Sequence, residues 1–298
     1  MFLTRFQVKE RFLAHIQFEK RYSIHTVTAY RTDLDQFFKY ILSQYDSESL
    51  SGISHFMIRS WLVSLIDQKI SPRSVSRKLT TLKSFFRFCL KEGALETNPV
   101  SKITSPKTSK RLPVFVEKEK MARLLDQVDF EPGYSGMRDR LILEMFYMTG
   151  MRLSELMNLK EQDIDFTHQT IKVLGKRNKE RLIPFNPKFS KTLNTYLDGK
   201  KTTFEGCDQF FLTDKGTKMY PRLIYSIVHR YLSMVTTSEK KSPHVLRHTF
   251  ATQLLDEGAE LNAVKELLGH ASLAATQVYT HNTIEKLKRI YKQAHPKA

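Results

Sequence analysis

From Val27 to Leu90, apolar residues recur at intervals of three and four in successive runs, and only a helix places such positions on one face. Val27, Tyr30, Leu34, Phe37, Phe38, Ile41 and Leu42 form the first run. Ile58, Trp61, Leu62, Leu65 and Ile66 form the second, and Val75, Leu79, Leu82, Phe86 and Leu90 the third. Ser71 before Pro72 opens the third run, with serine as cap and proline at the first helical position. Gly93 supplies its stop. The first part of the chain therefore reads as four helices over ~90 residues, a small bundle.

The periodicity lapses over residues 98–113, NPVSKITSPKTSKRLP. Three prolines and a surplus of basic residues make this an extended linker. The expected division is a helical domain over 1–100, a basic linker over 101–112 and a second domain over 113–298. A length of 298 residues suits two domains of ~100–200 residues each. The second domain is mixed. Met137 to Met148 is helical and stops at Gly150. Thr170 to Leu174 and Glu180 to Pro184 read as a β-hairpin, Asp208 to Thr213 as a third strand, and helices return after Pro221. The fold class is mainly α with a small antiparallel β-sheet.

Lys and Arg number 48 against 31 Asp and Glu, a formal charge of +17. Nineteen of the basic residues and only nine of the acidic ones fall in 1–112. That surplus favours an anionic partner, nucleic acid before membrane, although charge also serves solubility alone. Arg73 and Arg77, then Lys83, Arg87 and Lys91, stand four apart on one helix. Such rows track a phosphate backbone or form a solvated basic face. Cys89 and Cys207 are the two cysteines. They exclude a disulfide framework and a four-cysteine metal site, and suit a reducing compartment. No run approaches the ~18 apolar residues of a membrane span. Met1 to Glu10 lacks the pattern of a secretory signal. The expectation is a cytoplasmic protein.

Four segments carry residues suited to chemistry. Arg152 opens a short helix, Leu153 to Leu159, where a guanidinium and backbone N–H groups bind an oxyanion; pairing with Glu155 is the alternative, and Glu155 can hold the guanidinium in place while it binds. Lys176 at the hairpin tip is either a proton donor or a solvated turn lysine. His244 and Arg247 share a helix face and suit two oxygens of one phosphate. His248, four from His244, resembles a metal pair, but the glutamate of an HExxH motif is missing, so it reads as a packed core residue. His270 follows the helix stop at Gly269. Tyr279 lies in a stretch (SLAATQVYTH) without Asp, Glu, Lys or Arg. It is a core residue, or a nucleophile if cations stabilise its phenolate. No acidic cluster suits two-metal phosphoryl chemistry and no phosphate-binding glycine loop suits ATP.

TGMRLSEL, GKRNKERLIP, SPHVLRHTFATQLLDEGA and ELLGHASLAATQVYTH resemble the catalytic boxes of tyrosine site-specific recombinases of the phage-integrase family, most closely the Xer type. RYSIHTVTAYRTDLDQFFKYI and SVSRKLTTLKSFFRFCLKEG resemble that family's core-binding helices, so the likeness covers nearly the whole chain. It implies a helical SAM-like core-binding domain and an α+β catalytic domain. It implies that Arg152 and Arg247 bind the non-bridging oxygens of a scissile phosphate. His244 hydrogen-bonds the same phosphate, His270 assists, Lys176 protonates the leaving 5′-oxygen and Tyr279 attacks. Arg73, Arg77, Lys83, Arg87, Arg177 and Lys179 are the expected DNA contacts. No cofactor and no metal are implied. Where the family often has glycine after the hairpin lysine, this chain has Arg177, a difference that bears on loop geometry.

The implied function is cutting and rejoining duplex DNA at a recombination site, to resolve chromosome dimers during cell division. The implied partners are that DNA, a homo- or hetero-tetramer with a related recombinase, and a division-linked DNA translocase; the protein is nucleoid-associated. The tail, Thr283 to Ala298, is amphipathic. It packs within its own chain or, as the family implies, docks on a neighbouring protomer. The alternatives are an integrase or transposase of a mobile element, a type IB topoisomerase, or a silent architectural DNA-binding protein.

Overall fold

The computed structural model describes residues 4–106, 114–175, 180–204, 206–269, 288, 290–295 and 297. The chain divides into two compact units, Met1–Arg111 and Leu112–Ala298.

The first unit holds helices α1 (Arg5–Ala14), α2 (Ile24–Tyr45), α3 (His55–Asp67) and α4 (Pro72–Lys91). A single π-helical turn, His15–Glu19, follows α1. Thr4, Ser23, Ser54 and Ser71 each accept a hydrogen bond from the backbone N–H three residues on, which satisfies one free donor at each helix start. Pro72 occupies the first helical turn, and Gly93 takes φ +67 just past the end of α4. Val27, Leu34, Phe37, Ile41, Ile58, Trp61, Val75, Leu79, Leu82 and Phe86 are all buried in one core. Leu42 and Ile66 are not: they are 38% and 50% exposed. Each directly follows a buried or nearly buried neighbour, and a 100° step per residue turns it out of the core-facing stripe.

The second unit holds α5 (Lys118–Asp126), α6 (Tyr134–Thr149), α7 (Leu153–Asn158), α8 (Pro187–Thr203), α9 (Pro221–Val235), α10 (Pro243–Asp256) and α11 (Leu261–Leu268). Its sheet has three antiparallel strands in the order β1 (Ile164–Asp165), β2 (Thr170–Leu174), β3 (Glu180–Pro184). The hairpin register pairs Thr170 with Pro184 and Leu174 with Glu180. The third strand is thus Ile164–Asp165, not Asp208 to Thr213 as the sequence suggests. Residues 208–213 form two isolated bridges, Lys160 with Gln209 and Leu212 with Lys218. Phe210, Phe211 and Leu212 are all buried in succession, so the segment lacks the in–out alternation of a half-buried strand.

α6 runs through the core and is buried on nearly all sides, with Leu141, Ile142, Met145, Phe146 and Met148 almost fully covered. Tyr291 and Ala294 of the tail belong to that same core. The Tyr291 hydroxyl lies 4.0 Å from the Met148 sulfur, and His295 Nε2 donates to the Tyr147 carbonyl at 3.2 Å. These tail residues pack within their own chain; Thr283 to Leu287 lie outside the described residues. Among the described residues no helix is long and apolar enough to cross a membrane.

α6 ends at Gly150, whose φ of +57 an L side chain rarely adopts. A Cβ there would stand 2.4 Å from Phe250 Cδ1 on α10. Gly150→Ala is therefore expected to lower the unfolding free energy of the second unit by roughly 2–4 kcal/mol, from backbone strain plus overpacking. Calorimetric or circular-dichroism melting of the wild type and variant checks this.

Candidate active site

The turn at Gly150 delivers Arg152 to the start of α7 in an extended conformation. Three residues on, the Glu155 carboxylate reaches back. Oε2 accepts from the Arg152 backbone N–H at 2.7 Å, and Oε1 accepts from Arg152 Nη1 at 2.8 Å. The same carboxylate takes a bidentate pair from Arg181 on β3, at 2.7 and 2.8 Å. The Glu155 side chain is 1% exposed and that of Arg181 4%. Burial alone would raise the Glu155 carboxyl; the Arg181 hydrogen bonds and charge, with the Arg152 N–H, overcome it and hold the group at about 2.

Arg181 also donates from Nε to the Leu267 carbonyl at 2.8 Å. Arg152 Nη2 donates to the Gly269 carbonyl at 3.0 Å. Arg247, on α10, donates from Nη2 to the Leu268 carbonyl at 2.6 Å and from Nη1 to the Gly150 carbonyl. Three guanidiniums thus converge on three consecutive carbonyls at the C-terminus of α11, with the carbonyl of Gly150, just past α6, beside them. Helix C-termini carry unpaired carbonyls and a partial negative charge, so cations settle there. One carboxylate nevertheless faces three guanidiniums. Burial, then the charges of Arg152 and Arg181, push the Arg247 guanidinium down to about 9, against a smaller opposing pull from Glu155. Such a cluster favours the arrival of an anion.

Arg152 and Arg247, expected to share a site, are brought to adjacent carbonyls. Their side chains remain partly open to solvent. His244 stands exposed in the first turn of α10, three residues before Arg247. His248 is half-buried rather than a core residue. Lys176, Arg177, Lys179, His270 and Tyr279 lie outside the described residues. In the first unit Arg73 and Arg87 are exposed and Lys83 is half-buried, while Arg77 is paired with Asp33 on α2. Arg181 carries no assignment from the sequence, although a signal exists. It is in phase with buried Ile183 along β3, and an arginine in a core-facing slot requires a buried acid.

Removing one partner of a buried pair strands the other. Arg181→Met is expected to destabilise the second unit by about 3–5 kcal/mol. In the wild type, the depressed Glu155 group contributes stability that is present above its ordinary value of 4.5 and lost as pH falls towards about 2. Urea denaturation between pH 7 and 2.5 should show that acid limb in the wild type and a flatter one in the variant.

Comparison with known proteins places both units. Residues 114–286 match the phage integrase family, and residues 10–93 match the phage integrase N-terminal SAM-like domain. A tyrosine recombinase XerC of Oceanobacillus iheyensis is 42% identical over 294 residues, covering 97% of this chain and 96% of that protein. One of Chlorobaculum tepidum is 38% identical over 314 residues, covering 96% and 94%. Among solved structures, the XerH site-specific recombinase bound to a palindromic difH substrate superposes with a TM-score of 0.71 at 23% identity, covering 97% of this chain and 82% of that one. A lambda integrase dimer bound to a core site superposes with a TM-score of 0.71 at 18% identity, over 93% and 100%. With a SAM-like domain ahead of an integrase domain and XerC relatives along almost its whole length, this chain belongs to the phage integrase family and is a tyrosine recombinase of the Xer type.

Proposed function

We propose that this recombinase cuts and rejoins duplex DNA through a 3′-phosphotyrosyl intermediate and resolves chromosome dimers at one site during cell division. The observation that carries the reading is the convergence of Arg152 and Arg247 on the adjacent carbonyls of Gly269 and Leu268, with, among the described residues, a single carboxylate to balance three guanidiniums. In-line attack on a phosphodiester gathers negative charge on its non-bridging oxygens. Preorganised cations that need not reorient stabilise that charge. Guanidiniums suit the task because they present a rigid fork.

In this reading the Tyr279 oxygen attacks phosphorus and gives up its proton. The bond to the 5′-oxygen breaks, and Lys176 supplies that oxygen with a proton. Arg152, Arg247 and His244 hold the non-bridging oxygens, and His270 assists. The ester to Tyr279 keeps the bond energy, so a 5′-hydroxyl of a second duplex reverses the step without ATP. The helical domain over 1–100 and the catalytic domain over 113–298, joined by the basic linker 101–112, both bind DNA, with contacts from Arg73, Arg77, Lys83, Arg87, Arg177 and Lys179. The XerH and lambda integrase structures, bound to a difH substrate and a core site, support a DNA partner and assembly on it. A tetramer with a like or related recombinase, a division-linked translocase and a place at the nucleoid in the cytoplasm complete the proposal.

Tyr279→Phe is expected to abolish covalent capture of a nicked suicide duplex while binding stays within about twofold. An adduct of undiminished yield would move the nucleophile elsewhere. Sequencing DNA trapped by the wild type in cells tests the biological role: one chromosomal locus is expected, and many mobile-element ends would overturn dimer resolution. Binding should also weaken roughly a thousandfold or more between about 50 and 200 mM salt, as expected for six or more phosphate contacts. A flat titration would deny an extensive phosphate interface.

A further inference from the structure

Asp33 on α2 is completely buried and lies directly beneath the basic face of α4. Its carboxylate accepts four hydrogen bonds from α4: from Arg77 Nη1 at 2.5 Å, Arg77 Nη2 at 2.8 Å, Lys78 Nζ at 2.9 Å and Thr81 Oγ1 at 2.9 Å. Lys78 is itself buried and also donates to Gln36. Arg77 differs from Lys78 in one respect: 49% of its side chain is exposed. Two of its five N–H groups point inward to Asp33, and the Nε edge and outer N–H groups remain for another acceptor.

Arg73, Arg77, Thr80, Arg87 and Lys91 make one exposed stripe along α4. Arg73 and Arg87 have no hydrogen-bond or ion-pair partner among the described residues, as suits cations that follow a backbone of phosphates. A phosphate contact fixes position and carries no sequence information. A carboxylate placed under the stripe works against it, because Asp33 cancels one of the two charges it binds. What Asp33 supplies in exchange is direction. A side chain that otherwise samples many rotamers is held in one, with its Nη1/Nη2 fork on Asp33 and its Nε edge and outer N–H groups left open. Fixed direction is useful where the acceptor is directional, and the most directional acceptor on duplex DNA for a guanidinium is the O6/N7 edge of guanine in the major groove.

We propose that Arg77 reads a guanine of the target duplex and that Asp33 is the positioning residue that aims it. The inference rests on the reading of this chain as a DNA recombinase. Arg77 then contributes to sequence choice, while Arg73 and Arg87 contribute affinity common to all duplexes.

The test uses the full chain and two probes: a duplex enriched from a random-sequence pool by the wild type, and a scrambled duplex of the same length. Asp33→Asn keeps the shape of the buried group and removes its charge. Binding of the scrambled duplex should hold or strengthen, because the face becomes more positive, while preference for the enriched duplex falls about tenfold or more. Arg77→Lys keeps the charge, so the salt dependence should stay the same, the preference should fall similarly, and re-selection should lose a guanine at one position. Arg77 is half exposed, so this variant carries the test if Asp33→Asn fails to fold. Equal strengthening on both duplexes by Asp33→Asn overturns the proposal, as does an unchanged preference in Arg77→Lys. A wild type that enriches no sequence overturns the recombinase reading and this inference with it; a wild type that enriches a site while both variants keep its preference overturns this inference alone.

Discussion

The second unit is organised around one carboxylate. Glu155 ties the start of α7 to β3, and through Arg152 and Arg181 it ties both to the end of α11. Three elements distant in sequence meet there through charge-assisted hydrogen bonds that are short and directional. A buried ion pair is a weak source of stability, since desolvation offsets most of its attraction. Its value lies in orientation: the bond from Arg152 Nη1 to Glu155 Oε1 holds the guanidinium at the end of α11, where Nη2 reaches the Gly269 carbonyl. The remaining acceptors are main-chain carbonyls, which carry only partial charge. The cluster therefore keeps a positive surplus, and the charges of Arg152 and Arg181 add to burial in lowering the basicity of Arg247. A negative group brought to this surface lowers the energy of the whole arrangement.

The first unit repeats the motif in a different setting. Asp33 is also a single buried acid holding two cations, one covered and one open. In both units an acid below the surface converts flexible basic side chains into fixed ones. Arg73 and Arg87 on α4 have no such anchor among the described residues, and the difference separates groups that need a direction from groups that need only charge.

Much of this architecture was legible in the sequence, because it depends on local rules. Helical spacing located α2, α3 and α4, Ser71–Pro72 marked a helix start, and the β-branched, alternating run Thr170 to Leu174 followed by Glu180 to Pro184 marked the hairpin. Resemblance to the recombinase boxes brought Arg152, His244 and Arg247 forward, and geometry sets two of them on neighbouring carbonyls. What was not legible depends on contacts between distant residues. The partner of Arg77 is 44 positions away, and that of Arg181 is 26. The segment DQFFLT has strand composition, but three consecutive buried side chains remove the alternation a paired strand needs. Leu42 and Ile66 look like core residues by type, yet each lies one helical step beyond the face that its neighbours already fill.

The end of α11 offers only oxygen atoms that every amino acid possesses. Leu267 and Leu268 present their carbonyls to Arg181 and Arg247 whatever their side chains are, so drift at these two positions is read by the packing beneath them and not by the cations above. Gly269 is the exception: its φ of +64, and a Cβ position only 3.1 Å from Arg181 Cδ, admit no larger residue without cost. The carbonyl acceptors of the site are thereby written into the course of the backbone, where point mutation has little purchase, and a single hydrogen-for-side-chain choice at 269 guards them.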